Sequence, residues 1–162
     1  MASCQLDLKG KLMGEVEVKS SPTALSHIFI TCPHYFSNIC PNIVQSCNVE
    51  QGEFGKNGSI IVWNYNIDGK FYVAKEILEK VDVANKSITY RCVEGDIMKI
   101  YKTFLLHLHV MTKPNNCSLV QWTVEYEKLN EDVDPPTTLL DTLLEMTKRA
   151  DAHILSNPTH YV

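Results

Sequence analysis

Glu76 is the residue of this chain with the most pointed chemistry. It lies in the run Phe71 to Val83, where a period of two puts Ala74, Glu76 and Leu78 on one face and Val73, Lys75 and Ile77 on the other. If the first set faces a sheet interior, the carboxyl sits among Tyr65, Tyr90 and Trp122. A carboxylate there is desolvated, its pKa rises, and it can move protons. Glu76, with Tyr65 and Tyr90 as phenolic partners, is then the candidate catalytic set if the chain is an enzyme. The plainer reading pairs Glu76 with a lysine at a sheet edge or hydrates it at a cavity mouth.

Other patterns carry less chemistry. Gly52-x-x-Gly55-x-x-Gly58 has the look of a phosphate loop, but Asn57, not Ser or Thr, follows Lys56, and the loop joins strand to strand. Nucleotide loops open a helix whose N-terminus holds the phosphate. His107 and His109 share one face of a strand, yet no third ligand can be assigned, which argues against a zinc site. No G-x-S-x-G, H-E-x-x-H or C-x-x-C occurs. No metal or cofactor is expected.

The elements that must position Glu76 are mostly strands. Leu6 to Val18 alternates loosely and reads as a long first strand. Ser20-Ser-Pro22 is a helix start, with Ala24, Leu25, Ile28 and Phe29 as its apolar side and Thr31-Cys-Pro33 as its stop. His34 to Cys40 reads as a second short helix ended by Pro41, so the two form a V. Ile43 to Val49 is a strand. Ser59 to Ile67 is another, with Ile61, Trp63, Tyr65 and Ile67 on one face. Asp68-Gly69 then predicts a tight hairpin.

Four strand-like runs follow: Phe71 to Val83, Ser87 to Val93, Lys99 to Thr112 and Ser118 to Leu129. Turn residues separate them, which implies an antiparallel meander. Their inward sets are Ile88, Tyr90 and Cys92; Phe104, Leu106, Leu108 and Val110; and Val120, Trp122, Val124 and Tyr126. After Asp134-Pro-Pro136, Leu139, Leu143, Met146, Ala150 and Ile154 recur at helical spacing, with Leu140, Leu144 and Leu155 widening the arc. Thr137 or Thr138 can cap this helix, and the tail SNPTHYV is expected to fray. Two tryptophans and three tyrosines thus point at one interior. Composition alone favours a solid core; several inward phenols, each needing a partner, favour a cavity.

Bulk properties fit one globular domain over 1–162. The 162 residues are 44% hydrophobic and 21% charged, with net charge −4. No basic stripe with interleaved aromatics appears, which argues against nucleic acid. No apolar run reaches the ~20 residues of a membrane span, and the first residues lack a signal peptide's apolar core. A cytoplasmic protein with its six cysteines reduced is expected, as a monomer or weak dimer.

The order of elements, with several short motifs, resembles the plant major latex protein family, a branch of the Bet v 1-like, pathogenesis-related superfamily. The motifs are Leu8-Lys-Gly-Lys, Gly58-Ser-Ile-Ile-Val-Trp-Asn-Tyr, Ile67-Asp-Gly-Lys, Val93-Glu-Gly-Asp, Tyr101-Lys-Thr-Phe, Trp122-Thr-Val-Glu-Tyr-Glu-Lys and the late Asp134-Pro-Pro helix. The resemblance implies an α+β, START-like helix-grip fold. In it a seven-stranded curved antiparallel sheet wraps a long C-terminal helix, supported by a V of two short helices.

It also implies a large hydrophobic cavity for amphipathic plant metabolites. By matching positions, the wall is Ile61, Trp63, Tyr65, Glu76, Tyr90, Phe104, Leu106, Trp122, Leu143 and Met146, with Ile88 and Leu139 completing the candidate ligand-binding set. The mouth is expected near the Gly52–Gly58 loop, the turns at Asn85 and Asn115, and the start of the last helix. The function implied is a carrier of small hydrophobic metabolites in defence or specialised metabolism. Alternatives are a metal-free isomerase or cyclase acting on an alkaloid or terpenoid intermediate, and a signalling protein whose ligand switches partner binding.

Overall fold

In a computed structural model, which describes residues 7–158, seven strands form one antiparallel sheet in the order β1-β7-β6-β5-β4-β3-β2. Leu6, expected in the first strand, and the end of the tail lie outside the described residues. The strands are β1 Lys9–Val18, β2 Val44–Gln51, β3 Ile60–Ile67, β4 Lys70–Asp82, β5 Ser87–Gly95, β6 Tyr101–Lys113 and β7 Cys117–Lys128. Only the β1–β2 connection leaves the meander, and it carries the V of short helices. A 20-residue helix, α3 (Thr137–Ser156), lies against β1 and β7 and touches both arms of the V. The seven-stranded helix-grip arrangement is as expected.

Alternation decides which face is concave. Ile61, Ala74, Glu76, Leu78, Ile88, Tyr90 and Cys92 are buried, as are the inward residues of β6 and β7. The convex face carries ion pairs, among them Arg91 with Glu79 at 2.6 Å and Lys75 with Glu50 at 2.6 Å. The β3–β4 hairpin turns through Asp68 and Gly69, at φ 52° and 82°, as the Asp-Gly pair predicts. At the end of β5, Gly95 (φ 114°) lies so close to β4 that a Cβ would stand 2.1 Å from the Val73 carbonyl oxygen. Only glycine fits there, and the sheet folds tightly at that point.

The short helices are less regular than expected. Ser21 caps α1 (Pro22–Ser26), accepting from the Ala24 amide at 3.2 Å, with Pro22 at the first position. The chain then widens into a π-helical turn, His27–Thr31. The second arm is a 3₁₀ turn, Pro33–Tyr35, leading into α2 (Phe36–Ile39). A further 3₁₀ turn at Asp96–Lys99 joins β5 to β6.

Two expectations about α3 are corrected. Pro136, not a threonine, occupies its N-cap, and no side chain caps it. Pro136 is itself buried, and its carbonyl takes the Leu140 amide at 3.1 Å, so the helix begins one residue before a threonine could turn back. Leu155 is 48% exposed while Ile154 beside it is buried, so Leu155 does not widen the apolar arc. The five described cysteines are free thiols.

One polar knot ties the first and last elements together. The buried Ser20 gives its amide and its hydroxyl to the Asp151 carboxylate of α3, at 2.9 and 2.6 Å, and the buried Ser118 hydroxyl of β7 donates to the Ser20 carbonyl at 2.7 Å. Hydrogen bonds to a charged acceptor are worth about 1.5–3 kcal/mol. Asp151→Ala is therefore expected to lower stability by about 2–3 kcal/mol in urea denaturation; a loss under about 0.5 kcal/mol, the range of an ordinary surface change, would contradict the knot's role.

Candidate functional site

Helix α3 packs on one half of the concave sheet, and β3, β4 and β5 stand away from it. Between them lies an apolar cavity. β3 contributes Trp63 and Tyr65, β4 contributes Ala74 and Glu76, and β5 contributes Tyr90. Leu106 and Trp122 form the floor from β6 and β7. Leu139, Thr142, Leu143 and Met146 of α3 close the far side. The space open to the centre of a water molecule is about 60 Å³. The interior is thus neither a solid core nor a wide chamber.

Nine of the twelve sequence candidates for ligand binding meet here: Trp63, Tyr65, Glu76, Tyr90, Leu106, Trp122, Leu139, Leu143 and Met146. Ile61, Ile88 and Phe104 do not. They face the same side and are buried without lining the space, Phe104 packing against the Tyr101 ring at 5.0 Å. Alternation tells which side a residue faces, not how far the opposite layer stands off.

Phe29, Ile43, Val44, Ala74, Ile97 and Thr142 complete the lining without having been singled out for it. Thr142 was legible at helical spacing, one turn from Leu139 and Met146. Ile97 lies in a 3₁₀ turn with no sequence signal.

A second, more polar groove adjoins the cavity and shares Ile43 and Thr142 with it. It runs between Asn42, the hairpin end Asn66–Asp68, and Thr138, Asp141 and Glu145 of α3, with about 440 Å³ open to water centres. This groove lies beside the start of α3, one of the places where a mouth was expected, and the glycine loop does not line it. The Gly52–Gly58 loop lies at the other end of β3 and is packed down: Phe54 stacks on His34 at 5.0 Å, and Gly55 sits against the Ile30 carbonyl.

Polar groups in the wall are mostly committed. The Tyr90 hydroxyl donates to the Phe29 carbonyl at 3.0 Å, tying the π-helical turn to the sheet. The Trp122 indole donates to the Thr147 hydroxyl at 3.0 Å, and that hydroxyl donates to the Leu143 carbonyl at 2.8 Å. Burial raises the Tyr65 and Tyr90 phenols, and nearby acidic groups add to this.

Glu76 is the exception. It is 4% exposed, and no cation shapes its environment among the described residues. The Cys92 thiol donates to its Oε2 at 3.5 Å, and the Trp63 indole also hydrogen-bonds to the carboxyl. Burial pushes its carboxyl from 4.5 up to about 7; the Cys92 thiol and the Trp63 indole oppose the rise without cancelling it. Carrying no lysine partner and no water-exposed edge, Glu76 departs from the plainer reading of a sheet-edge pair.

That perturbation makes a stability prediction. The folded carboxyl keeps its proton to about 7, whereas an unperturbed one loses it near 4.5, so the fold binds more protons between those values. The contribution is whole below 4.5 and is lost as pH rises through about 7. By pH 8 the loss is about 3 kcal/mol. Urea denaturation of wild type and Glu76→Gln from pH 4 to 8 should show the wild type losing about that much relative to the variant. Parallel curves would contradict the burial of an ionisable Glu76.

Comparison with known proteins accords with this geometry. MLP-like protein 28 of Arabidopsis thaliana is 44% identical over 150 residues, 92% of this chain, and the chain spans less than half, 45%, of that relative's length. The crystal structure of ginseng major latex-like protein 151 from Panax ginseng superposes with a TM-score of 0.86 at 42% identity, over 90% of this chain and 97% of that one. Norcoclaurine synthase from Thalictrum flavum shares the fold at 17% identity and a TM-score of 0.75, over 91% of this chain and 87% of its own. Residues 7–157 match the pathogenesis-related protein Bet v 1 family. The chain belongs to that family, on its major latex protein branch.

Proposed function

We propose that this chain, as a single domain, is an intracellular carrier of a small hydrophobic or amphipathic plant metabolite, held in the cavity between β3–β5 and α3. The observation that carries this reading is the cavity's make-up. Five aromatic side chains and a run of aliphatic ones line it, and its polar groups are few and placed. Family members bind ligands, and the pathogenesis-related and latex names of the relatives suit a role in defence or specialised metabolism. No helix among the described residues is long and apolar enough to cross a membrane. The free space is smaller than a drug-sized ligand needs, so occupancy requires α3 and the mouth residues to move outward.

Glu76 supports a second reading. A carboxyl near pH 7 is matched to proton transfer, and an isomerase or cyclase could use it as acid and base on an alkaloid or terpenoid intermediate. The Tyr90 proton is already given to a backbone carbonyl, which leaves Tyr65 as the phenol available to such a reaction. Conversion of a bound intermediate by wild type and not by Glu76→Gln supports the enzyme; unchanged turnover in the variant removes Glu76 from it.

The chain carries its own reporter for binding. Its two tryptophans, Trp63 and Trp122, both line the cavity. Titration with the neutral dye Nile red should change tryptophan emission saturably. Ala74→Leu, which fills the cavity from the β4 wall, should weaken that binding at least about tenfold, about 1.4 kcal/mol, while the protein stays folded. Saturable binding by wild type that Ala74→Leu leaves unchanged would place the dye elsewhere.

A further inference from the structure

We propose that the ligand is a lipophilic organic cation, an amine that enters past the acidic mouth and sets its ammonium group against the Glu76 carboxylate. The proposal rests on the ligand-carrier reading and names the class of ligand.

The lining of the cavity and of its entrance has one sign of charge. Glu76 is the carboxylic acid of the inner wall, and Asp68, Asp141 and Glu145 line the groove outside; no lysine or arginine lines either space. Glu145 accepts from Arg149 at 3.0 Å on the exposed side of α3, so its charge is partly spent; Asp68 and Asp141 make no ion pair among the described residues. Acidic groups around a low-dielectric mouth concentrate cations at it and repel anions. A row of surface acids alone would be a solvated face. The buried Glu76 at the inner end makes it a path.

The register shows how the inner end is built. Glu76 lies opposite Ile61 on β3 and Cys92 on β5. Trp63 is paired with Ala74 and Tyr90 with Leu78, so each ring is a diagonal neighbour of the carboxyl on the same face. Tyr65 extends the aromatic wall from β3, and Phe29 and Trp122 meet edge to face at 5.3 Å behind it. A carboxylate set among aromatic faces is the environment that holds an ammonium group, by charge pairing and by cation–π attraction. It suits a carboxylate or phenolate ligand poorly, because two buried like charges repel.

Every ionisable group facing Glu76 is acidic. Cys47 stands on β2, Tyr65 on β3, and Tyr90 and Cys92 on β5; all are held in their neutral forms by burial. From α3 the cavity meets Leu139, Thr142, Leu143 and Met146, and from the V Phe29, none of them ionisable. No protein cation therefore competes for the carboxylate within this wall. A cationic ligand supplies the missing partner and binds best where Glu76 is ionised, above pH 7 and below the amine's own pKa.

Three probes of one shape test this: 4-phenylbutylamine, 4-phenylbutan-1-ol and 4-phenylbutyrate, titrated into the wild-type chain by tryptophan fluorescence. At pH 8 the amine should bind at least about tenfold tighter than the alcohol, and the carboxylate weakest. Between pH 8 and pH 6 the amine should lose about tenfold while the alcohol changes by less than about twofold. Glu76→Gln should bring the amine down to the alcohol's affinity and flatten its pH profile. If that variant fails to fold, the wild-type profile decides alone. Binding of the alcohol with no preference for the amine at pH 8 overturns the cation assignment and leaves the carrier reading standing. Binding of none of the three overturns both.

Discussion

A twenty-residue helix cannot cover the concave face of a seven-stranded sheet, and this mismatch shapes everything else in the molecule. Helix α3 spends its apolar side on β1 and β7, where its Leu144 comes so close to Gly14 that a Cβ there would touch it. The Trp122–Thr147 hydrogen bond fixes the helix to the floor of the same half. The V of short helices fills part of what remains, with Phe29 and Phe36 ring to ring at 4.9 Å. What the two leave incompletely filled is the space against the aromatic stretch of β3, β4 and β5. A cavity there is the geometric remainder of a sheet wider than its helix.

Chemistry follows from which side chain the remainder exposes. On β4 the alternation that buries Ala74 and Leu78 must also bury Glu76, and the strand cannot release it without turning its whole face outward. The fold therefore holds a carboxyl away from water with no cation beside it among the described residues. Such a group is costly when ionised and stable when neutral, and it is the single point in an apolar wall that distinguishes one ligand from another. The same restraint that makes Glu76 a liability for stability makes it useful for selection. The tyrosines beside it do not share this role, since Tyr90 is held by the Phe29 carbonyl and serves to position the π-helical turn.

Much of this was legible in the chain because sheets write their faces with a period of two. The inward sets of β3 and of β5 to β7, the Asp68-Gly69 hairpin and the Ser21-Pro22 cap each depend on local rules, and each came out as read, whereas the two faces of β4 were left open until the fold buried Ala74, Glu76 and Leu78. What failed depends on distance between layers. Ile61, Ile88 and Phe104 have the same parity as Trp63, Tyr90 and Leu106, and nothing local says that only the second three line the space. Likewise nothing local says that Phe54 of the glycine loop stacks on His34. The cap of α3 was misplaced because two threonines offered an oxygen, whereas the buried Pro136 had already set where the helix begins.

The central claim is that the Glu76 carboxyl is buried beside an apolar cavity and answers to what enters it. Carbon-13 NMR of the Glu76 side-chain carboxyl, followed through a pH titration of the ligand-free protein, reads this directly. A midpoint near 7 is expected, moving downward when the cavity is saturated with 4-phenylbutylamine. A midpoint near 4.5 in the free protein, unmoved by the amine, would contradict it.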